Sequence, residues 1–176
     1  LVLFTGRAAS VSRRADEWAR TTEAKSAAAA LSLSQEEGRG LWQELTDLGW
    51  APEDPPRLSV KVGLVPSSSK DFLAEIEAEL GRESGYSLVS DVGFGLLRLL
   101  WWTQDTVTDL QATVRRLREV ARGHSASVVV ERCPVELKRT IDVWGESVDG
   151  LEIMRRIKRE LDPTGTLNPG RFTGRI

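Results

Sequence analysis

An α+β fold built on one antiparallel sheet is predicted for this 176-residue chain, and three observations predict it. Leu58, Val60, Val62 and Leu64 alternate with Ser59, Lys61 and Gly63, the period-two pattern of a half-buried strand. Two stretches instead repeat at helical spacing: Phe72, Leu73, Ile76 and Leu80, then Val107, Leu110, Val114, Leu117 and Val120. Further strand-like runs lie between and after these helices, at Tyr86 to Ser90, Leu96 to Trp102 and Ala126 to Glu131.

The elements follow in order. Leu1 to Phe4 reads as a short strand, and Ser10 opens a helical pattern carrying Val11, Ala15, Trp18 and Ala19. Ala27 to Leu33 fits either a helix or a short strand. Ser34 and Glu37 have capping-box spacing and open a helix with Leu41, Trp42, Leu45 and Leu48 on one side. Ala51 to Pro56 holds three prolines and two acids and must be a loop. The strand at Leu58 is stopped by Pro66. Ser68 and Asp71 are placed to cap the next helix, which Gly81 ends. Asp91 to Gly95 reads as a turn. Leu96 to Trp102 is apolar on nearly both faces and belongs inside its sheet. Asp105 or Thr106 caps the long helix, and Gly123 ends it. Asp149 begins a last helix with Leu151, Met154, Ile157 and Leu161.

From Arg57 to Arg132 the order is therefore β-α-β-β-α-β, the split βαβ or ferredoxin-like order. Each helix has one apolar stripe, so both must lie on one face of the sheet. The N-terminal strand and helices, and the C-terminal helix, extend this arrangement into a single domain over 1–176.

Composition narrows the function. The formal charge of −2 asks for neither nucleic acid nor an anionic membrane. No apolar run approaches the roughly 20 residues that cross a bilayer, and charge arrives at Arg7, too early for a signal peptide. Cys133 and His124 are the single cysteine and histidine, which speaks against a disulfide, a metal site and a Ser-His-Asp triad. A reducing compartment fits. The chain does not begin with Met, and it is expected to be a piece of a longer product.

His124 has a possible reading as a catalytic base, but a capping or solvent-facing histidine is the expectation. Cys133 is expected to be inert. Of Trp101 and Trp102 one must be core, and Trp144 is expected to pack. The arginines at 115, 116, 118 and 122, and those from Arg155 to Arg159, read first as solvated faces. One arginine gripping a substrate carboxylate is chemically sensible, though the pattern does not choose which.

The end of the chain is more specific. A basic helix leads into Leu161-Asp162-Pro163-Thr164-Gly165-Thr166-Leu167-Asn168-Pro169-Gly170-Arg171. Pro163 forbids further helix, and Gly165 with Asn168-Pro169-Gly170 forces two quick turns. Lys158, Asp162, Pro163, Gly165, Asn168, Pro169, Gly170 and Arg171 together resemble the C-terminal signature of FAD-linked oxidases of the vanillyl-alcohol-oxidase type. Arg57-Leu58-Ser59-Val60 with Pro66, and Gly123-His124-Ser125-Ala126, are similar to stretches of the E-type subunit of bacterial glycolate oxidase.

The resemblance implies a substrate-side cap domain, with FAD bound by an upstream domain that this sequence lacks. Gly38-Arg39-Gly40 and Gly93-Phe94-Gly95 are not phosphate cradles, so no cofactor is expected on this chain alone and no activity without the flavin domain. It implies that Asn168 and Arg171 are cofactor-binding, that no residue here is catalytic, and that none binds metal. With His124 alone the metal-binding cap of the larger D-type subunits cannot be built. The implied partners are the upstream domain, a second flavin subunit, an iron–sulfur subunit and a small 2-hydroxy acid. The implied location is cytoplasmic, peripheral to the inner membrane through a complex. A free-standing ferredoxin-like ligand- or protein-binding module is the alternative.

Overall fold

A computed structural model describes residues 6–24, 33–50, 52–81, 85–91, 93–145 and 149–176. The expected strand at Leu1 to Phe4 lies outside the described residues, as does all but the last residue of Ala27 to Leu33. The chain divides into two compact units, Leu1–Trp50 and Ala51–Ile176.

In the first unit, α1 spans Ala8–Ala24 and α2 spans Gln35–Asp47. The capping box forms as the spacing requires. The Glu37 N–H donates to Ser34 Oγ at 3.3 Å and the Ser34 N–H donates to Glu37 Oε2 at 2.9 Å. These bonds from Ser34, its backbone N–H foremost, hold the Glu37 carboxyl below the usual carboxylate range. Trp42 on α2 is 44% exposed.

The second unit contains β1 (Leu58–Gly63), α3 (Ser69–Leu80), β2 (Tyr86–Asp91), β3 (Leu96–Trp101), α4 (Val107–Gly123), β4 (Ser127–Arg132), α5 (Val135–Thr140) and α6 (Leu151–Leu161). The sheet order is β2-β3-β1-β4, antiparallel throughout. This is the split βαβ arrangement: α3 carries the chain over a gap, and β3 returns to fill it. Leu58, Val60 and Val62 face Trp101, Leu99 and Leu97 across one ladder, and Val62 and Val60 face Val128 and Val130 across the other. Phe72 and Ile76 of α3, and Leu110, Val114 and Leu117 of α4, close over the same sheet face. These side chains are essentially removed from water, so the core lies between the sheet and the two helices.

β3 is interior, as its double apolar pattern requires. Leu100, on the face away from the helices, is as buried as Leu99. Ser59 beside it is also buried, so β1 is covered more fully than a half-buried strand. The β1–β4 register shifts between Ser59, which faces Arg132, and Val60, which faces Val130. Glu131 is the extra residue of this bulge.

Several boundaries differ from the pattern, each for a local reason. Ser68 does not cap α3. Pro66–Ser68 forms a 3-10 turn that leaves Ser68 right-handed (φ −87°, ψ −6°), and the Ser69 N–H donates to the Pro66 carbonyl instead. Of the two candidates for α4, Thr106 is the cap. Its hydroxyl accepts from the Asp109 N–H, and Asp109 accepts in return from the Thr106 hydroxyl and N–H. Those bonds, the hydroxyl's first, hold Asp109 below its ordinary value. Thr106→Ala should cost about 1 kcal/mol, read as a lower urea midpoint with unchanged slope. α4 runs through Gly123, and the left-handed residue after it is Ser125 (φ 51°). Gly150, not Asp149, precedes α6, with φ 78°. α5 has too few residues to show a period, and no reading of the pattern placed a helix there.

Candidate functional site

The site is built on α6 and the tail after it. Residues 151, 154 and 158 share the half-buried side of α6, while Ile153, Ile157 and Leu161 form an exposed apolar stripe at spacing four. Pro163 ends the helix, and the Asp162 carboxylate then organises the turn. Its Oδ1 accepts from the Thr166 N–H at 2.9 Å and the Thr166 hydroxyl at 3.2 Å. Its Oδ2 accepts from the Leu167 N–H at 2.9 Å and meets Lys158 Nζ at 2.5 Å. The same ammonium donates to the Leu167 carbonyl at 2.5 Å.

Asp162 is 7% exposed and still charged. The Lys158 hydrogen bond, then the Leu167 N–H, hold its carboxyl far below the usual carboxylate range, against the effect of burial. Asp162 was legible as part of the motif but not as its hub. A carboxylate before Pro-x-Gly is the signal, because short acids fold back on the N–H groups that follow.

Beyond the hub, Gly165 (φ 65°), Asn168 (φ 46°) and Gly170 (φ 69°) are left-handed, and the Arg171 N–H donates to the Asn168 carbonyl at 3.1 Å. The far end is pinned. Trp144 Nε1–H donates to the Arg171 carbonyl at 3.2 Å, and its ring meets Phe172 edge-on at 5.2 Å. Thr173 is buried, and a Cβ on Gly174 would lie 2.5 Å from Leu151 Cδ1. The loop is thus held at both ends. Asn168 and Arg171 are exposed on it, and neither side chain has a hydrogen-bond partner among the described residues. Trp144 packs, as expected.

A second cluster occupies the sheet face opposite α3 and α4. Arg98 Nε lies 3.1 Å from Glu131 Oε2, and Lys61 Nζ lies 3.5 Å from Glu131 Oε1. The bulge places Glu131 between the two cations. Arg98 was missed as a candidate, though it is the one charge in the apolar run Leu96 to Trp102.

The remaining candidates resolve structurally. His124 Nε2 meets Glu75 Oε2 at 2.8 Å and its ring meets Phe72 edge-on, so it ties α4 to α3. Cys133 is half-buried, and burial pushes its thiol up against the opposing pull of Lys138, which disfavours the reactive thiolate. Trp101 is core, and Trp102 donates to the Asp54 carbonyl at 3.0 Å. Arg155 pairs with Glu152 on the exposed face of α6. Gly38 and Gly40 are helical, and Gly95 is packed on the Leu64 carbonyl, so neither glycine pair presents a phosphate cradle. Asn168 and Arg171 are exposed side-chain donors that the tail loop carries. Among the described residues no helix is long and apolar enough to cross a membrane.

No curated protein matches the chain. Residues 143–172, from the Trp144 anchor through α6 to Phe172, match the family model of FAD linked oxidases, C-terminal domain. The segment that carries the candidate site is therefore similar to that domain, which supports an FAD-linked oxidase cap.

Proposed function

We propose that this chain is the substrate-side cap of an FAD-dependent oxidoreductase acting on a small 2-hydroxy acid, of the kind represented by the glycolate oxidase E-type subunit. The observation that carries the reading is the tail: a family-matched loop, clamped at both ends, that presents Asn168 and Arg171 outward. Bound FAD, held by an upstream domain, supplies the hydride acceptor. The contribution of this chain is contact and orientation. Arg171 offers a charge-assisted donor to the anionic parts of the cofactor, and Asn168 a neutral amide. The exposed stripe of Ile153, Ile157 and Leu161 is the apolar surface that an upstream domain would cover.

On the substrate side, Arg98 is the arginine that fits a carboxylate best. It stands in an interior strand, on the face free of α3 and α4, oriented through Nε by Glu131. The glycolate-oxidase relation extends the proposal to a second flavin subunit and an iron–sulfur subunit, in a complex on the cytoplasmic side of the inner membrane.

The test is made on the full-length gene product. Arg171→Ala should weaken flavin retention about tenfold while leaving the Tm unchanged, and glycolate or a related 2-hydroxy acid should bleach the flavin. A full-length protein without flavin absorbance would sink the proposal and leave the free-standing binding module. Flavin retention indifferent to Arg171 would remove the tail from the cofactor site.

A further inference from the structure

The two edges of the sheet differ. At the β4 edge the Val130 N–H donates to the Val143 carbonyl at 2.8 Å, so the segment after α5 closes that side. At the other edge β2 pairs only with β3 among the described residues. The register decides which groups it leaves open. The Leu64 N–H donates to the Gly95 carbonyl, so Gly95, Leu97, Leu99 and Trp101 turn their backbone N–H and carbonyl groups toward β1. Leu96, Arg98 and Leu100 therefore bond Asp91, Val89 and Ser87 of β2, and Tyr86, Leu88 and Ser90 turn their backbone groups outward. The outward N–H and carbonyl groups of these three bond no described residue.

An open edge is a template for another strand, and folded proteins blunt it with lysine, proline, a bulge or a cover. Among the described residues β2 has none of these. Tyr86–Asp91 contains neither lysine nor proline, and its register with β3 is unbroken over all 6 residues. Ser87, Leu88, Ser90 and Asp91 are exposed. Leu88 stands on the same sheet face as its partner Leu99, which is core, yet Leu88 is 39% exposed.

The strand fits itself. A two-fold axis through Leu88, normal to the sheet, brings a second β2 alongside in antiparallel register. Leu88 then faces Leu88 of the second copy and Tyr86 faces Ser90, each pair exchanging both backbone bonds on the open side. Side chains keep their face, so the two leucines cover each other at the rim of the core. Asp91, the sole charge of the strand, falls opposite Gly85, and no like charges meet. We infer that β2 is a self-association edge, on which a second copy of this chain docks strand to strand and continues the sheet across the axis. β2 belongs to neither the tail nor the Arg98 cluster, so the inference stands apart from the flavin reading.

Sedimentation equilibrium of the whole chain tests it. A dimer should form with a Kd of about 100 µM or tighter, and a chain still monomeric at about 1 mM would overturn the assignment. Leu88→Lys sets two ammonium groups opposite each other and should raise the Kd at least about tenfold. Val135→Lys, at an exposed position of α5, should leave it unchanged. Crosslinking reads the register without relying on the charged variant. In a hydrogen-bonded antiparallel pair the Cα atoms are about 5.5 Å apart, within disulfide reach. Under mild oxidation Leu88→Cys should therefore form covalent dimers about tenfold faster than Ser87→Cys, whose copies stand out of register, and faster than the wild-type rate that Cys133 sets. Self-association indifferent to Leu88→Lys, an equal loss on Val135→Lys, or equal crosslinking at positions 87 and 88 would each sink the proposal.

Discussion

Gly95→Ala should destabilise the second unit by on the order of 3 kcal/mol, while Gly93→Ala two residues away changes stability by no more than about 0.5 kcal/mol. Gly95 joins β2 to β3 with φ 63°, a conformation that costs a side chain about 1 kcal/mol before any contact is counted. A Cβ there would also sit 2.0 Å from the Leu64 carbonyl oxygen and 3.2 Å from Pro66 Cδ. The nearest atom is backbone, so no rotamer relieves the clash. The turn must move off β1, and that motion breaks the bond from the Leu64 N–H to the Gly95 carbonyl, 2.9 Å long. This bond extends the β1–β3 ladder one step past Gly63 and Leu96. At Gly93 an added Cβ meets only Asp91 Oδ1, at an ordinary 3.7 Å. Urea unfolding of the two variants checks the contrast. Equal midpoints would mean that the turn yields without cost.

The comparison between pattern and structure divides along the reach of the forces involved. β1 was legible because its core-facing side chains, Leu58, Val60 and Val62, alternate with Ser59, Lys61 and Gly63 on its other face, and β3 because a strand covered on both faces has no polar side to show. The capping box of α2 was legible, and the cap of α4 was narrowed to Asp105 or Thr106, because all the partners lie within three residues. What failed was context. Ser68 has the right chemistry and spacing, but the tight turn begun by Pro66 leaves Ser68 right-handed rather than extended, and its side chain makes no cap bond. The role of Glu131 depends on a bulge, a property of β1 and β4 paired together, so no local window contains it. Arg98 was visible as an interruption, yet Glu131, which it meets, comes from β4, a strand that does not neighbour β3 in the sheet. The tail motif was readable as a resemblance, but a buried carboxylate and a solvated one are the same letter, so the central place of Asp162 was not. Asn168 and Arg171 come out together on one exposed loop because the hub and the Trp144 anchor hold that loop between them.

Asp162→Asn should release the tail. The carboxylate accepts from four groups, two on each oxygen, and an amide keeps one acceptor oxygen while turning an N–H2 toward donors on the other side. Either orientation leaves at least one backbone N–H facing a donor or nothing, and removes the charge that Lys158 answers. Trypsin should then cut after Arg171 about tenfold faster, followed by mass spectrometry, and the Tm should fall by several degrees at neutral pH. The effect has a defined pH window. The folded pKa of Asp162 is depressed below its unfolded value of about 3.9. Its stabilisation is therefore complete well above that value and is lost as the pH falls toward the folded one. The difference between wild type and Asp162→Asn should accordingly be constant through neutral pH and shrink below about pH 4. A difference that persists undiminished into strong acid would assign the effect to the shape of the side chain and not to its charge. Unchanged tryptic cleavage after Arg171 at neutral pH would show that the Trp144 and Phe172 contacts alone hold the loop, with Asp162 incidental to the presentation of Asn168 and Arg171.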